Sequence, residues 1–194
     1  MSKQDYMKKE VRLSGSGGQG LLTAGLLLSE AATMEGLNVT QTQSYGAASR
    51  GGSSSSDVVI STHPIYFPEA TRFDALVALT QESTDKFQGL LREDGILIID
   101  TAFVKNYTVS GQKVYALPFT QIALEKLGSS QATNILALSF LVKVTGIVSD
   151  KYLREAIRSF KPEFADANLK AMKLAYKMAE EYNDQYGKVY DPEG

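Results

Sequence analysis

Residues 11–32 read VRLSGSGGQGLLTAGLLLSEAA, and four glycines fall within the six positions from Gly15 to Gly20. A chain gives up side chains this densely where its backbone bends sharply or where something must come close. Upstream, EVRLSG at residues 10–15 is a short apolar strand candidate. Downstream, from Gln19 to Glu35, Leu22, Leu26, Ser29 and Thr33 recur at helical spacing, with Leu27 and Ala31 beside them. Gly36 stands where a left-handed helix end is expected. LNVTQTQSYG at residues 37–46 then reads as a β-branched strand running into a loop. Strand, glycine turn, helix and strand in this order are the footprint of a βαβ unit.

The pattern continues outward. SSSSDVVIS at 53–61 is a further strand candidate, although its serines are weak evidence alone. FDALVAL at 73–79 and GILIID at 95–100 are near-continuous apolar runs, suited to strands covered on both faces. TQESTDKFQGLL between them fits a short helix, and KVYALPF a strand ending before Pro118. From there the periodicity is helical. TQIALEKLG closes on Gly128, SQATNILALSFLVKVTG on Gly146, and SDKYLREAIRSF stops before Pro162. The last segment carries Ala165, Leu169, Met172, Tyr176, Ala179 and Tyr182 on one stripe. These elements predict an α/β fold: a mostly parallel sheet with flanking helices, a Rossmann-like three-layer domain with a helical C-terminal part. One domain over 1–194 is expected, with its core at about 10–160 and a terminal amphipathic helix at about 163–186.

Composition narrows the chemistry. Twenty basic against 22 acidic residues leave a net charge of −2, no basis for a phosphate-tracking nucleic-acid surface. The chain has no cysteine, hence no thiolate nucleophile and no cysteine-ligated cluster or zinc of its own. His63 is the single histidine, which argues against a histidine metal cage or a catalytic triad. MSKQDYMKKEVRL lacks the apolar core of a secretory signal, and no apolar run approaches the ~20 residues that span a bilayer. A cytoplasmic protein without membrane contact is expected.

Gly15, Gly17 and Gly20 fit G-x-G-x-x-G between a strand and a helix. Free amides at a helix start favour an anion. The dinucleotide version also needs a carboxylate at the end of the second strand, where Gln41, Thr42, Gln43 and Ser44 stand instead. The loop is no triphosphate cradle either, since Gln19–Gly20–Leu21 supplies no lysine. Against these stands tight strand–helix packing as the whole reason for the glycines. QTQSYGAASRGG at 41–52 is a second glycine loop, presenting Ser44, Tyr45 and Gly46, then Arg50 flanked by Gly51 and Gly52. Loops after parallel strands gather at the carboxyl edge of a sheet, so both are expected on one rim. The candidate ligand or interface residues are therefore Gly15, Gly17, Gly18, Gln19, Gly20, Ser44, Tyr45, Gly46, Arg50, Gly51 and Gly52. No base, nucleophile or metal constellation stands out, and no catalytic residue is assigned. Asp57, Asp74 and Asp100 lie in or beside strands; Asp100 is placed like a functional residue, but capping the following turn explains it. His63–Pro64 reads as a structural turn. Gln81 and Glu82 border the same crevice, and Met172 and Met178 fill gaps along a helix.

GSGGQGLLTAG followed by QTQSYGAASRGG and SSSSDVVIS resembles the gamma subunit of 2-oxoacid:ferredoxin oxidoreductases, nearest to the 2-oxoglutarate and 2-ketoacid branch and to the matching domain of fused pyruvate enzymes. ALVALTQESTDKF is also similar to that family, and the resemblance spans roughly residues 10–160. It implies an α/β subunit of a complex that decarboxylates a 2-oxoacid, passes electrons to ferredoxin and transfers the acyl group to coenzyme A. Thiamine diphosphate, magnesium and iron–sulfur clusters are then expected in alpha, beta and ferredoxin-like (delta) partner subunits, with no cofactor in this chain. The glycine loops would contact those partners or border the coenzyme A channel, and the isolated chain would be inactive. Deprived of partners, it would expose apolar area through which two copies could pair. A stand-alone nucleotide- or flavin-binding oxidoreductase and a non-catalytic interaction module are the alternatives.

Overall fold

The computed structural model describes residues 7–45, 53–108 and 110–182. Six strands, β1 (Lys8–Ser16), β2 (Asn38–Tyr45), β3 (Ser53–Ser61), β4 (Phe73–Ala78), β5 (Leu91–Asp100) and β6 (Lys113–Leu117), form one sheet in the order β2-β3-β1-β4-β5-β6. The helices are α1 (Leu21–Met34), α2 (Gln81–Phe87), α3 (Phe119–Leu127), α4 (Thr133–Thr145), α5 (Asp150–Phe160) and α6 (Ala165–Glu181). β1, β4, β5 and β6 pair in parallel, whereas β3 pairs antiparallel with both β1 and β2. Only β3 is reversed, so the sheet is mostly parallel in direction.

Two expectations about the strands need correction. β1 starts earlier than residue 10, because Lys8 and Lys9 pair with Ser61 and Ile60 despite their charge. The opening βαβ unit is split: β3 lies between β1 and β2. Ser54, Ser55, Ser56 and Ser61 of β3 are buried, as hydroxyls can be satisfied inside a sheet. Ser54 Oγ donates to Ser16 O, and Ser56 Oγ accepts from Gln41 Nε2 at 2.8 Å. Ser56 also lies against α1 at Gly25, where any Cβ would overlap its hydroxyl.

The alternation of β1 sorts the layers. Val11 and Leu13 face a core shared with α1, α3, α4, α5 and α6. On the other face, Phe73, Leu76, Ala78, Leu97 and Ile99 pack with Phe87 of α2 and with Val104. The apolar runs of β4 and β5 follow from burial on both sides. The last helix buries Ala171, Met172, Ala175, Met178 and Tyr182, a stripe rotated from the expected one; Leu169, Tyr176 and Ala179 sit at its half-buried margin.

Residues 62–72 cross the α2 side of the sheet and are fastened by Glu10. Its carboxylate accepts from Lys8 Nζ at 2.7 Å and from the amides of Thr71 and Arg72 at 2.7 and 3.2 Å. Burial pushes the Glu10 carboxyl up, but Lys8 and the two amides outweigh it and hold it below its ordinary 4.5. A carboxyl depressed on folding contributes stability above its unfolded value and loses it as pH falls through the lower folded value. Glu10→Gln should therefore flatten the decline in urea-unfolding stability below about pH 4.5 while changing its slope little near neutrality.

Candidate functional site at the carboxyl edge of the sheet

The glycine turn leaves β1 at Ser16 and enters α1 at Leu21. Ser16 is opposite Ser53, and Tyr45 at the end of β2 is opposite Ser54. The ends of β1 and β2 thus lie on one rim, two strand spacings or about 10 Å apart. Gly15, Gly17, Gly18, Gln19, Gly20, Ser44 and Tyr45 are brought to that rim; Gly46, Arg50, Gly51 and Gly52 lie outside the described residues.

Gly15, Gly18 and Gly20 each have a local reason. Gly15 is buried beneath the side chain of Gln19, which a Cβ there would strike. Gln19 Oε1 accepts from Ser16 N at 2.7 Å, and Gln19 N donates to Ser16 O, closing the turn. Gly18 adopts φ +90° with open space around it. Gly20 adopts φ +71° and is met by Asn134 of α4, whose Nδ2 donates to Gly20 O at 3.0 Å. Neighbouring protein therefore approaches the loop at Gly15 and Gly20, whereas Gly17 and Gly18 face outward. Gly20 gives α1 no side-chain cap and no acid occupies its first turn, so the amides of that turn keep their preference for a negative group.

Asn134 was not singled out from sequence; its signal is a polar residue within the apolar run NILALSFLV. The Ser14–Ser83–Thr80 chain was also missed. Buried Ser14 Oγ meets Ser83 Oγ at 3.0 Å, and Thr80 Oγ1 meets the same hydroxyl at 2.9 Å, tying the end of β1 to the start of α2.

The remaining candidates are structural. Asp100 is fully buried at the end of β5. It accepts from Ala102 N, from Thr120 N at 2.9 Å and from Thr120 Oγ1 at 2.6 Å, capping its own turn and the start of α3. Gln81 Oε1 accepts from the amides of Lys105 and Asn106, and Glu82 is exposed beside it on α2. His63 lies at the opposite end of β3 from the rim, hydrogen-bonded to Thr62 and Ser61. Asp57 is paired with Arg12, and Asp74 accepts from Glu10 N and Lys9 Nζ. Among the described residues no group of His, Asp and Glu could hold a metal ion, and no helix is long and apolar enough to cross a membrane.

The topology also bears on the dinucleotide alternative. That site draws its ribose carboxylate from the strand beside the first. Here the neighbour is the reversed β3, and β2 ends in Gln43, Ser44 and Tyr45.

Residues 10–178 match the family model described as pyruvate ferredoxin/flavodoxin oxidoreductase. The chain is 40% identical over 179 residues to 2-oxoglutarate synthase subunit KorC of Methanocaldococcus jannaschii, covering 90% of this chain and 96% of that one. It is 36% identical over 173 residues to ketoisovalerate oxidoreductase subunit VorA of Methanothermobacter marburgensis, covering 87% of this chain and only 36% of that one. Among solved structures, the gamma subunit of keto/oxoacid ferredoxin oxidoreductase from Geobacter sulfurreducens superposes with a TM-score of 0.79 at 37% identity, covering 89% of this chain and 98% of that one. With that sheet, that pair of loop-bearing strand ends and this coverage, the chain belongs to the pyruvate ferredoxin/flavodoxin oxidoreductase family, as a gamma-type subunit.

Proposed function

We propose that the chain works in a cytoplasmic complex with alpha, beta and ferredoxin-like subunits, which convert a 2-oxoacid to its acyl-coenzyme A with electrons passing to ferredoxin. In this reading the chain holds neither thiamine diphosphate nor an iron–sulfur cluster; the absence of any cysteine leaves no thiolate to ligate a cluster. Its contribution is the rim built by the two loop-bearing strand ends. The observation that carries this is the placement of the Ser16 and Tyr45 ends on one edge, beside a helix start without a side-chain cap.

Two occupants suit that rim. Coenzyme A offers phosphates, which suit the uncapped amides at the start of α1, and a guanidinium such as that of Arg50 pairs with phosphate. A partner subunit would instead meet Tyr45, which is 68% exposed. The VorA relative supports close contact with further polypeptide of the same enzyme, since the region matching this chain is about a third of its length.

Co-expression with the alpha, beta and ferredoxin-like subunits tests the reading. The assembled complex should reduce ferredoxin with a 2-oxoacid and coenzyme A, and the isolated chain should not. Arg50→Ala should raise the Michaelis constant for coenzyme A in an intact complex if the rim meets the coenzyme, and should weaken assembly if it meets a subunit. Normal assembly with unchanged kinetics would reject both roles for Arg50. Turnover by the chain alone would reject the accessory role.

A further inference from the structure

β2 is an edge strand, with β3 as its sheet neighbour among the described strands. Proteins usually blunt such an edge with charge, proline or a bulge, because its unpaired amides and carbonyls invite another strand. β2 has none of these. Its eight residues, NVTQTQSY, carry no charge and no proline, and they pair with β3 in unbroken register.

The segment 62–72, which crosses the sheet, reaches β2 at Pro68 and is held at several points. Thr62 N donates to Met7 O, Thr40 Oγ1 of β2 donates to Pro68 O at 3.1 Å, and Glu10 takes the amides of Thr71 and Arg72. This fastened segment holds Tyr66 and Phe67 in solvent, 84% and 81% exposed. The backbone that carries these adjacent aromatics is tied on both sides, at Thr62 and at Pro68. They lose little conformational freedom on docking and have large apolar area to bury, the properties of interface anchors.

We propose that the edge of β2, unpaired among the described strands, and the Tyr66–Phe67 pair form one docking surface, covered in the assembled enzyme by a sibling subunit. That subunit supplies an extended backbone segment to the edge and an apolar recess to the two rings. The mode is strand addition, in which main-chain hydrogen bonds give affinity and side-chain pockets give specificity. The inference rests on the reading of this chain as one subunit among several. The same reading favours a sibling over a second copy, because in the VorA relative the matching region continues into further chain.

The test uses the complex formed by co-expression with the alpha, beta and ferredoxin-like subunits. Those amides of residues 38–45 that point away from β3 should exchange about tenfold or more slowly in the complex than in the isolated chain. The double variant Tyr66→Ser with Phe67→Ser should weaken association with the siblings by about tenfold or more. Its melting temperature as an isolated chain should stay at the wild-type value, because both side chains are exposed. A double variant that assembles with unchanged affinity, or protection that falls elsewhere, overturns the surface while leaving the subunit reading intact. If the wild-type chain pairs with itself through these residues and the monomeric variant still joins its siblings, the occupant is a second copy and the proposal fails. Failure of the wild-type chain to join the siblings overturns the subunit reading and the surface together.

Discussion

Asp57→Ala will destabilise the isolated subunit by about 3–5 kcal/mol, measured by urea unfolding at neutral pH. Arg12 of β1 and Asp57 of β3 are directly opposite each other in register. Arg12 Nε and Nη2 each donate to Asp57 carboxylate oxygens at 2.6 Å. The guanidinium carbon lies 4.1 Å from the ring centre of Phe87 and 4.5 Å from that of Phe73. The pair is thus walled in, with side-chain exposures of only 14% and 10%. Removing the carboxylate leaves a cation between two rings with its Asp57 hydrogen bonds unmade, and that loss exceeds what the pair itself contributes. Replacing both partners together, Arg12→Met with Asp57→Leu, should recover most of the loss, since an apolar pair needs no compensating charge. A loss under about 1 kcal/mol for Asp57→Ala would mean that the pair behaves as an exposed one. The consequence reaches the rim, because these two strands carry the glycine turn and one end of the second loop.

The sequence showed the elements whose signal is local. Apolar runs announced β4 and β5, left-handed glycines at 36, 128 and 146 marked the ends of α1, α3 and α4, and helical spacing located the C-terminal half. Strand order was not legible. Nothing in SSSSDVVIS says that it inserts between β1 and β2 in the opposite direction, because its pairing with β1 is a contact between distant parts of the chain. Glu10 and Arg12 likewise read as polar positions on a strand, while their partners at 57, 71 and 72 lie 45 to 62 residues away. In the site, the motif located the turn and one rim for both strand ends, yet it could not distinguish a glycine that admits a ligand from one that admits a side chain. That distinction came from Gln19 over Gly15 and Asn134 against Gly20, contacts that the glycine pattern does not encode.

Gly20→Ala will lower the stability of the subunit by about 2–5 kcal/mol, combining two separable costs. The first is conformational. At φ +71° an L side chain crowds the backbone, worth roughly 1–2 kcal/mol. The second is steric: the new Cβ would overlap Asn134 Nδ2, which donates to Gly20 O and lies in a well-packed contact between α1 and α4. Overpacking of this kind costs roughly 1–3 kcal/mol. A double-mutant cycle separates them. Asn134→Ala alone should cost about 1 kcal/mol through the lost hydrogen bond. In the double variant the overlap disappears while the left-handed strain remains, so the pair should be more stable than the two single losses added together. Additivity would mean that the loop shifts away from α4 without resistance, and that Asn134 does not hold it. The same variant informs the rim, because moving Gly20 moves the first amides of α1. In an assembled complex, a raised Michaelis constant for coenzyme A with intact assembly would place the coenzyme at those amides. Loss of sibling subunits from an otherwise folded variant would place a protein surface there instead, with the outward Gly17–Gly18 backbone as the part that meets it.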